Sequence, residues 1–310
     1  MGVNQDAGSV PVLGTVSVVG LGLIGGSLAR ALAAGRETTG IEVVGWDLDP
    51  GTRASAQQAG IATVDDPLDA GRADLVVLAV PLRAMARMAA VLAPVLDPAA
   101  TVTDVGSVKG PVRAAVEAAG LGDRYVGAHP MAGTERVGFA ASDAALLRGA
   151  VWAVTTGAVP TGADGARPEG LEPHLGRVLA LVEAVGGRPL LLTDDVHDRA
   201  TALVSHVPHV AATALLSNLV DSDVRDVALA LAAGSFRDGT RVGRTGPHRT
   251  QAMVEDNAGA VAAVVRSMAA DLVSLADDLE AGRPTEWFFD RPDPVRRLLE
   301  EPAPTPPPAE

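Results

Sequence analysis

The run Gly20-Leu21-Gly22-Leu23-Ile24-Gly25-Gly26-Ser27 restricts what this chain can fold into more than any other stretch. A GxGxxG pattern alone is weak evidence. Here it follows a short β-branched segment, Thr15-Val16-Ser17-Val18-Val19, and precedes an Ala/Leu-rich segment from about Ile24 to Ala34 with helical character. That is the strand–turn–helix setting in which the pattern has a mechanism. Gly20 permits the tight turn, Gly22 lets a pyrophosphate approach the backbone, and Gly25 lets the helix pack closely on a sheet. Leu23 and Ile24 open the helix, whose free N–H groups suit an anion. A second strand, Ile41 to Trp46, ends at Asp47, where a carboxylate would take a ribose 2′-hydroxyl. Asp47 and Asp49 would repel a 2′-phosphate, so NAD is expected over NADP. Arg53 is close enough in sequence to weaken that expectation and is read as a solvated helix residue. The alternative for the unit as a whole is a Rossmann-type fold that binds another nucleotide or none.

The next strands follow the same logic. Asp74 to Val80 is apolar enough for a central parallel strand and is closed by Pro81; Val80 and Pro81 would border the cofactor crevice. Thr101 to Thr103 leads into Asp104-Val105-Gly106-Ser107-Val108-Lys109, and strand ends at this edge of an open sheet face the ligand. Ser107 is expected there at a helix N-terminus, where an N-cap role and a site role can coexist. Tyr125 to Ala128 is expected as a strand of the same sheet that delivers His129. The run His129-Pro130-Met131-Ala132-Gly133-Thr134-Glu135 is too polar for a core strand and has no helical period, so it reads as a loop presenting groups to a ligand. Its imidazole can accept a proton near neutral pH.

Two more strands, Val151 to Val154 and Pro189 to Leu192, flank a Gly/Pro/Ala-rich loop (157–169) and a helix (171–185). Beyond Asp194 the pattern becomes all-helical, which sets the expected domain boundary. Asp195 to Leu219 reads as one helix kinked by Pro208, with His206 and His209 of Ser205-His206-Val207-Pro208-His209 near one face. These two lack a third partner at metal-ligand spacing, so no metal is expected. Gly234-Ser235-Phe236-Arg237-Asp238-Gly239-Thr240-Arg241 brings two arginines near polar residues, able to clamp a carboxylate or to form salt bridges in a charged loop. From Asn257 to Leu279, Val261, Val265, Met268, Leu272, Leu275 and Leu279 form a heptad-like stripe suited to another long helix, ending near Gly282.

The expected architecture is α/β. Residues 1–12 form a frayed tail, 13–193 a Rossmann-type dinucleotide-binding domain, 194–290 an all-helical domain, and 291–310 a Pro-rich tail with nothing to bury. Net charge −13 argues against nucleic acid as a partner. The absence of cysteine excludes disulfides and thiolate metal sites. No apolar run looks long enough to span a bilayer, and Met1 to Val10 lacks the features of a signal peptide, so a cytoplasmic enzyme is expected. Lys109 is the sole lysine.

Taken in order, GLGLIGGS, TDVGSVKG, GAHPMAGTE, SHVPH and GSFRDGTR make the chain resemble the prephenate dehydrogenase family, which includes arogenate dehydrogenases, over about residues 14–285. The resemblance implies a Rossmann-type domain followed by a helical domain that dimerises through intertwined helices. It implies NAD-dependent oxidative decarboxylation of prephenate in tyrosine biosynthesis, or of arogenate. His129 resembles the catalytic histidine that binds the substrate's 4-hydroxyl, and Ser107 the serine beside it. Arg241 resembles the arginine that binds a substrate carboxylate. His209 resembles an active-site histidine of the helical domain. Thr134 and Glu135 match loop positions of the family, while Gly20, Gly22, Gly25 and Asp47 match its dinucleotide site. One run departs from the pattern: where the family often has an aromatic and then an acidic residue, this chain has His248-Arg249-Thr250-Gln251. No mutase or regulatory domain is expected after residue 290. A catalytically silent NAD-binding regulator on the same fold is the rival from another class; intact His129, Ser107 and Arg241 weigh against it. Other β-hydroxyacid dehydrogenases with a helical domain use a lysine there, and this chain has none after Lys109.

Overall fold

The computed structural model describes residues 13–134, 136–157, 171–244 and 246–300, apart from the side chains of His248 and Arg249. Residues 1–12 and 301–310, Glu135 and most of the 157–169 loop lie outside the described residues; the first part of the expected 291–310 tail is instead the helix Asp293–Glu300.

Strands β1 (Thr15–Val19), β2 (Glu42–Trp46), β3 (Ala62–Thr63), β4 (Leu75–Leu78) and β5 (Thr101–Asp104) form a parallel sheet in the order β3-β2-β1-β4-β5. In register, Val19 pairs with Trp46 and with Leu78, and Leu78 pairs with Asp104. The carboxyl ends of the four longer strands therefore lie in one row, followed by Gly20, Asp47, Ala79 and Val105. Strand order reverses between β1 and β4, the place where open α/β sheets bind ligands. β4 is buried at every position, as a central parallel strand with both faces covered must be. Helix Leu23–Thr39 buries Leu28, Ala29 and Leu32, a one-turn apolar stripe in which each leucine contributes about 1.5–3 kcal/mol. It runs five residues past the expected Ala34 and stops at Gly40, which adopts φ 71.

Strands β6 (Gly127–Pro130), β7 (Val151–Thr155) and β8 (Arg188–Leu192) form a second sheet in the order β6-β7-β8. Two expectations are corrected here. His129 does not follow a strand of the first sheet; the residues before β6 meet β5 through the isolated parallel bridge Val102↔Tyr125 rather than through a strand pairing. Nor is His129 in a loop, for it pairs antiparallel with Ala153 inside β6. A polar run can be a strand when it occupies a sheet edge and its polar groups find partners, and an edge position also tolerates Pro130.

Beyond β8, helix Asp194–Thr201 continues through a π-helical turn, Ala202–His206, into helix Val207–Ser217. The irregularity in the helical run lies at this turn and not at Pro208. The Val207 N–H bonds the Ala202 carbonyl five residues back, and Pro208 then falls in the first turn of the following helix, where no N–H is needed. Gly234-Ser235-Phe236-Arg237-Asp238-Gly239 is a short helix rather than a loop. The chain clusters into two compact units, one extending to Ala258 and one from Gly259 onward. Helices Asp194–Thr201 and Pro247–Asp256 belong to the first. There Arg113 pairs with Asp194, and Arg83 with Glu255 at 2.6 Å. The second unit contains the long helix Ala258–Glu280, terminated near Gly282 at φ 63. By length and apolar composition alone, Asp194–Ser217 and Ala258–Glu280 could each cross a membrane. This corrects the expectation that no run reaches that length.

Candidate active site

The glycine loop is built for close approach. Gly20 has φ +104, and a Cβ there would lie 2.6 Å from the Ala79 carbonyl oxygen; only glycine satisfies both the dihedral and the space. A Cβ on Gly25 would lie 2.0 Å from the Gly20 carbonyl oxygen. Gly22 differs, because a Cβ there would meet nothing within 4 Å. Gly22 is the N-cap of helix Leu23–Thr39, with no side-chain cap and no acidic residue in the first turn. The open space above Gly22 thus faces uncapped N–H groups, the arrangement that accepts a pyrophosphate. Leu23 and Ile24 are half-buried beside it, as is Val80 after β4, while Pro81 is exposed and caps the next helix.

Asp47 stands at the end of β2 with its carboxylate aimed by two backbone donors, Leu21 N–H at 2.8 Å and Asp49 N–H at 2.9 Å. Each oxygen keeps a lone pair for a ribose hydroxyl. Asp49 caps helix Pro50–Gln58, and the bond from the Thr52 hydroxyl, with those from the Thr52 and Gly51 N–H groups, lowers its pKa. Arg53 is not the solvated residue expected. Its side chain is 14% exposed and pairs with Asp65 at 3.2 Å, and it donates to the Asp47 carbonyl at 2.7 Å. These residues fit a dinucleotide with a free 2′-hydroxyl.

The second part of the site is a relay of three side chains. His129 Nδ1 lies 2.9 Å from His197 Nε2, and His197 Nδ1 lies 2.7 Å from Asp198 Oδ1. The rings meet edge to face, with centroids 5.1 Å apart. A carboxylate only accepts, so His197 carries a proton on Nδ1, and in the neutral ring its Nε2 is then an acceptor. His129 must then donate from Nδ1, which leaves its Nε2 lone pair free to take a proton. Burial, followed by the charge of Lys109 and by His197 and His206, pushes the His129 pKa well below 6.5. The base is therefore unprotonated at neutral pH. Burial alone would raise the Asp198 pKa. The bonds from His197 and from the Gly110 and Lys109 N–H groups outweigh it, and the pKa is lowered.

His206 is fully buried, and the π turn places it in this cluster. Its Nδ1 lies 3.1 Å from Asn257 Nδ2, which also donates to the Asp198 carbonyl at 2.7 Å. Burial holds its pKa down to about 4. Its Nε2 has no hydrogen-bond partner among the described residues.

The other expected site residues are placed as follows. Ser107 is half-buried in the segment between β5 and helix Gly110–Ala118. It is not the N-cap, a position held by Lys109. Thr134 is exposed, its hydroxyl accepting from the Arg136 N–H at 3.2 Å, and Glu135 lies outside the described residues. His209 is half-buried on helix Val207–Ser217. Arg241 is exposed. The turn after it, Val242–Arg244, packs on that helix so closely that a Cβ on Gly243 would lie 2.9 Å from the Ala212 carbonyl carbon. The turn that follows Arg241 therefore packs on the helix that carries His209. The partners of His129 in the relay, His197 and Asp198, and the Asn257 that joins His206 to them are residues that sequence reasoning passed over. The one legible signal was the adjacent His197-Asp198 pair in a stretch read only as the start of an amphipathic helix.

Both halves of the chain match known proteins. Residues 28–167 match the nucleotide-binding domain of prephenate dehydrogenase, and residues 193–288 match the dimerization domain of prephenate dehydrogenase. Cyclohexadienyl dehydrogenase of Zymomonas mobilis is 35% identical over 84% of this chain and 86% of its own length. Prephenate dehydrogenase from Aquifex aeolicus, solved with hydroxyphenyl propionate and NAD+, superposes with a TM-score of 0.80 at 28% identity, covering 92% of this chain and 98% of that one. Synechocystis arogenate dehydrogenase superposes at 0.75 with 27% identity, covering 92% and 99%. With both halves matched in order and a close relative spanned over most of its length, the chain belongs to the prephenate dehydrogenase family of oxidoreductases.

Proposed function

We propose that this protein converts prephenate to 4-hydroxyphenylpyruvate and carbon dioxide with NAD as the oxidant, and that His129 is the base. The observation that carries the base assignment is the relay Asp198–His197–His129, which fixes the tautomers and leaves His129 Nε2 as an acceptor. NAD, when bound, supplies the acceptor for the hydride that leaves the ring carbon bearing the 4-hydroxyl. His129 Nε2 takes the hydroxyl proton, and the resulting imidazolium is stabilised through His197 by the Asp198 carboxylate. A positioned base of this kind contributes roughly 10²–10⁴-fold. Ser107, on the segment between β5 and the next helix, is assigned to hold the 4-hydroxyl beside His129. Arg241 and His209 are assigned to the anionic side of the substrate, an assignment supported by the packing of the turn after Arg241 on the helix that carries His209; Thr134 and Glu135 are assigned to the same loop wall. Gly20, Gly22, Leu23, Ile24, Gly25, Asp47, Val80 and Pro81 would hold the cofactor. NAD rather than NADP is favoured because Arg53, the nearby cation, is already held by Asp65 and the Asp47 carbonyl.

The match of residues 193–288 to a dimerization domain supports a homodimer through the helical region. The long helix Ala258–Glu280 carries exposed Leu272, Val273 and Leu279, which an aqueous monomer would leave wet. Arogenate is the second candidate substrate, favoured by the likeness to the Synechocystis enzyme. Reduction of NAD followed at 340 nm with prephenate and arogenate in parallel tests both. Turnover of either names the substrate by kcat/KM, and silence with both, under NAD and NADP, would refute the proposal.

A further inference from the structure

Lys109 is the only lysine in the chain, and it is wholly buried together with Asp104. Its ammonium donates to the Asp104 carboxylate and, at 2.8 Å, to the carbonyl of Ala128. Asp104 Oδ1 accepts from the Ala128 N–H at 3.2 Å and from the hydroxyl of Tyr125, the sole tyrosine, at 2.8 Å. Its Oδ2 accepts from the Gly106 N–H at 2.8 Å. Both peptide groups of Ala128, the residue just before His129, are thus held by this ion pair. The backbone of the same lysine does a second job. The Lys109 N–H donates to Asp198 Oδ1 at 2.8 Å and the Gly110 N–H to Oδ2 at 2.9 Å, which orients the carboxylate that orients His197.

These contacts close a ring. It runs from the Lys109 ammonium to the Ala128 carbonyl, along the chain to His129, across to His197 and Asp198, and back to the Lys109 N–H. We infer that Lys109 is a positioning residue for the base, holding β6 and helix Asp194–Thr201 so that His129 and His197 stay in hydrogen-bond register. This inference rests on the base assignment made above for its consequence in catalysis, but the register itself is a property of the free protein. A buried lysine with one carboxylate partner is an expensive way to tie a loop. It is explained if the ammonium is also needed as a charge. The groups facing His129 are Lys109 from the segment after β5, His197 from its helix and His206 from the π turn, with Asp198 behind His197 and Asp104 behind Lys109. Burial and, after it, the Lys109 charge disfavour the His129 imidazolium.

The test uses the full chain labelled with ¹⁵N-histidine. Only six histidines are present, so ring resonances can be assigned by substitution. In the wild type, His129 should hold its proton on Nδ1 and titrate below 6.5; an Nε2–H tautomer or an ordinary titration would overturn the inference. Lys109→Met alone would orphan a buried carboxylate and is expected to fold poorly. The double variant Lys109→Met/Asp104→Asn orphans no charge. In it the His129 pKa should rise, the single Nδ1–H tautomer should give way to a mixture, and kcat should fall at least about tenfold with the NAD Kd unchanged. Unchanged His129 pKa and tautomer in the folded double variant would overturn the inference. Because the rings are read without substrate or cofactor, this result is independent of whether prephenate is the substrate.

Discussion

Nε2 of His197 faces Nδ1 of His129 across 2.9 Å, and the two rings come from elements 68 residues apart in sequence. The contact makes one imidazole the acceptor that sets the other's tautomer. His129→Asn should therefore abolish most turnover, by roughly 10²–10⁴-fold in kcat, while the NAD Kd, read by tryptophan fluorescence, stays within about twofold. Near-normal turnover would remove His129 from the mechanism.

His197→Phe keeps an aromatic ring in the buried slot but deletes the acceptor. With nothing fixing Nδ1–H, His129 is free to adopt the other tautomer. The expectation is a loss of kcat of at least about tenfold with little change in substrate KM. A variant with raised KM and intact kcat would show that His197 serves binding instead.

The depressed pKa of His129 has a definite sign in the pH profile. Only the neutral ring accepts the hydroxyl proton, and burial with the Lys109 charge makes protonation harder. Activity should therefore hold as pH falls through 6.5 and decline only at more acid pH. A kcat/KM profile whose acid limb is centred at or above 6.5, with no second ionisation to account for it, would contradict the assignment.

His206 predicts a stability effect. Its folded-state pKa of about 4 lies below the ordinary 6.5, so between those values the unfolded chain binds more protons. Its contribution to stability is complete above about 6.5 and is lost as pH falls toward 4. Urea melts at pH 7.5 and 5.0 should show a smaller pH dependence for His206→Leu than for the wild type; equal slopes would count against it.

Two glycines of one loop should respond in opposite ways. Gly22→Ala places its methyl in open space, so Tm should move by no more than about 2 °C while NAD affinity falls at least about tenfold. Gly25→Ala drives a methyl to 2.0 Å from the Gly20 carbonyl oxygen, and the protein should lose its native melt. Asp65→Ala, in turn, releases Arg53 and should narrow the preference for NAD over NADP.

Much of this protein was legible along the chain because its signals are local. A β-branched strand, a glycine turn and an Ala/Leu helix are neighbours in sequence, so Gly20, Gly22, Gly25 and Asp47 announce a parallel sheet and its ligand edge without any long-range information. His129 stood out for the same reason, inside a short run of unusual composition. The sheet that holds His129 was misjudged, because strand pairing joins Gly127–Pro130 to Val151–Thr155 across a separation that hydrophobic period does not report. Arg53 was misjudged because its partner Asp65 lies twelve residues on, in the bend after β3. The relay itself belongs wholly to the tertiary structure. Whether His197 is a solvated helix residue or the acceptor for His129 depends on helix Asp194–Thr201 docking against the start of helix Gly110–Ala118, through Asp198 and the N–H groups of Lys109 and Gly110. That docking depends in turn on a lysine whose burial only a folded interior can compensate. Local patterning chooses the elements; hydrogen-bond partners distant in sequence choose which of their polar side chains become a site.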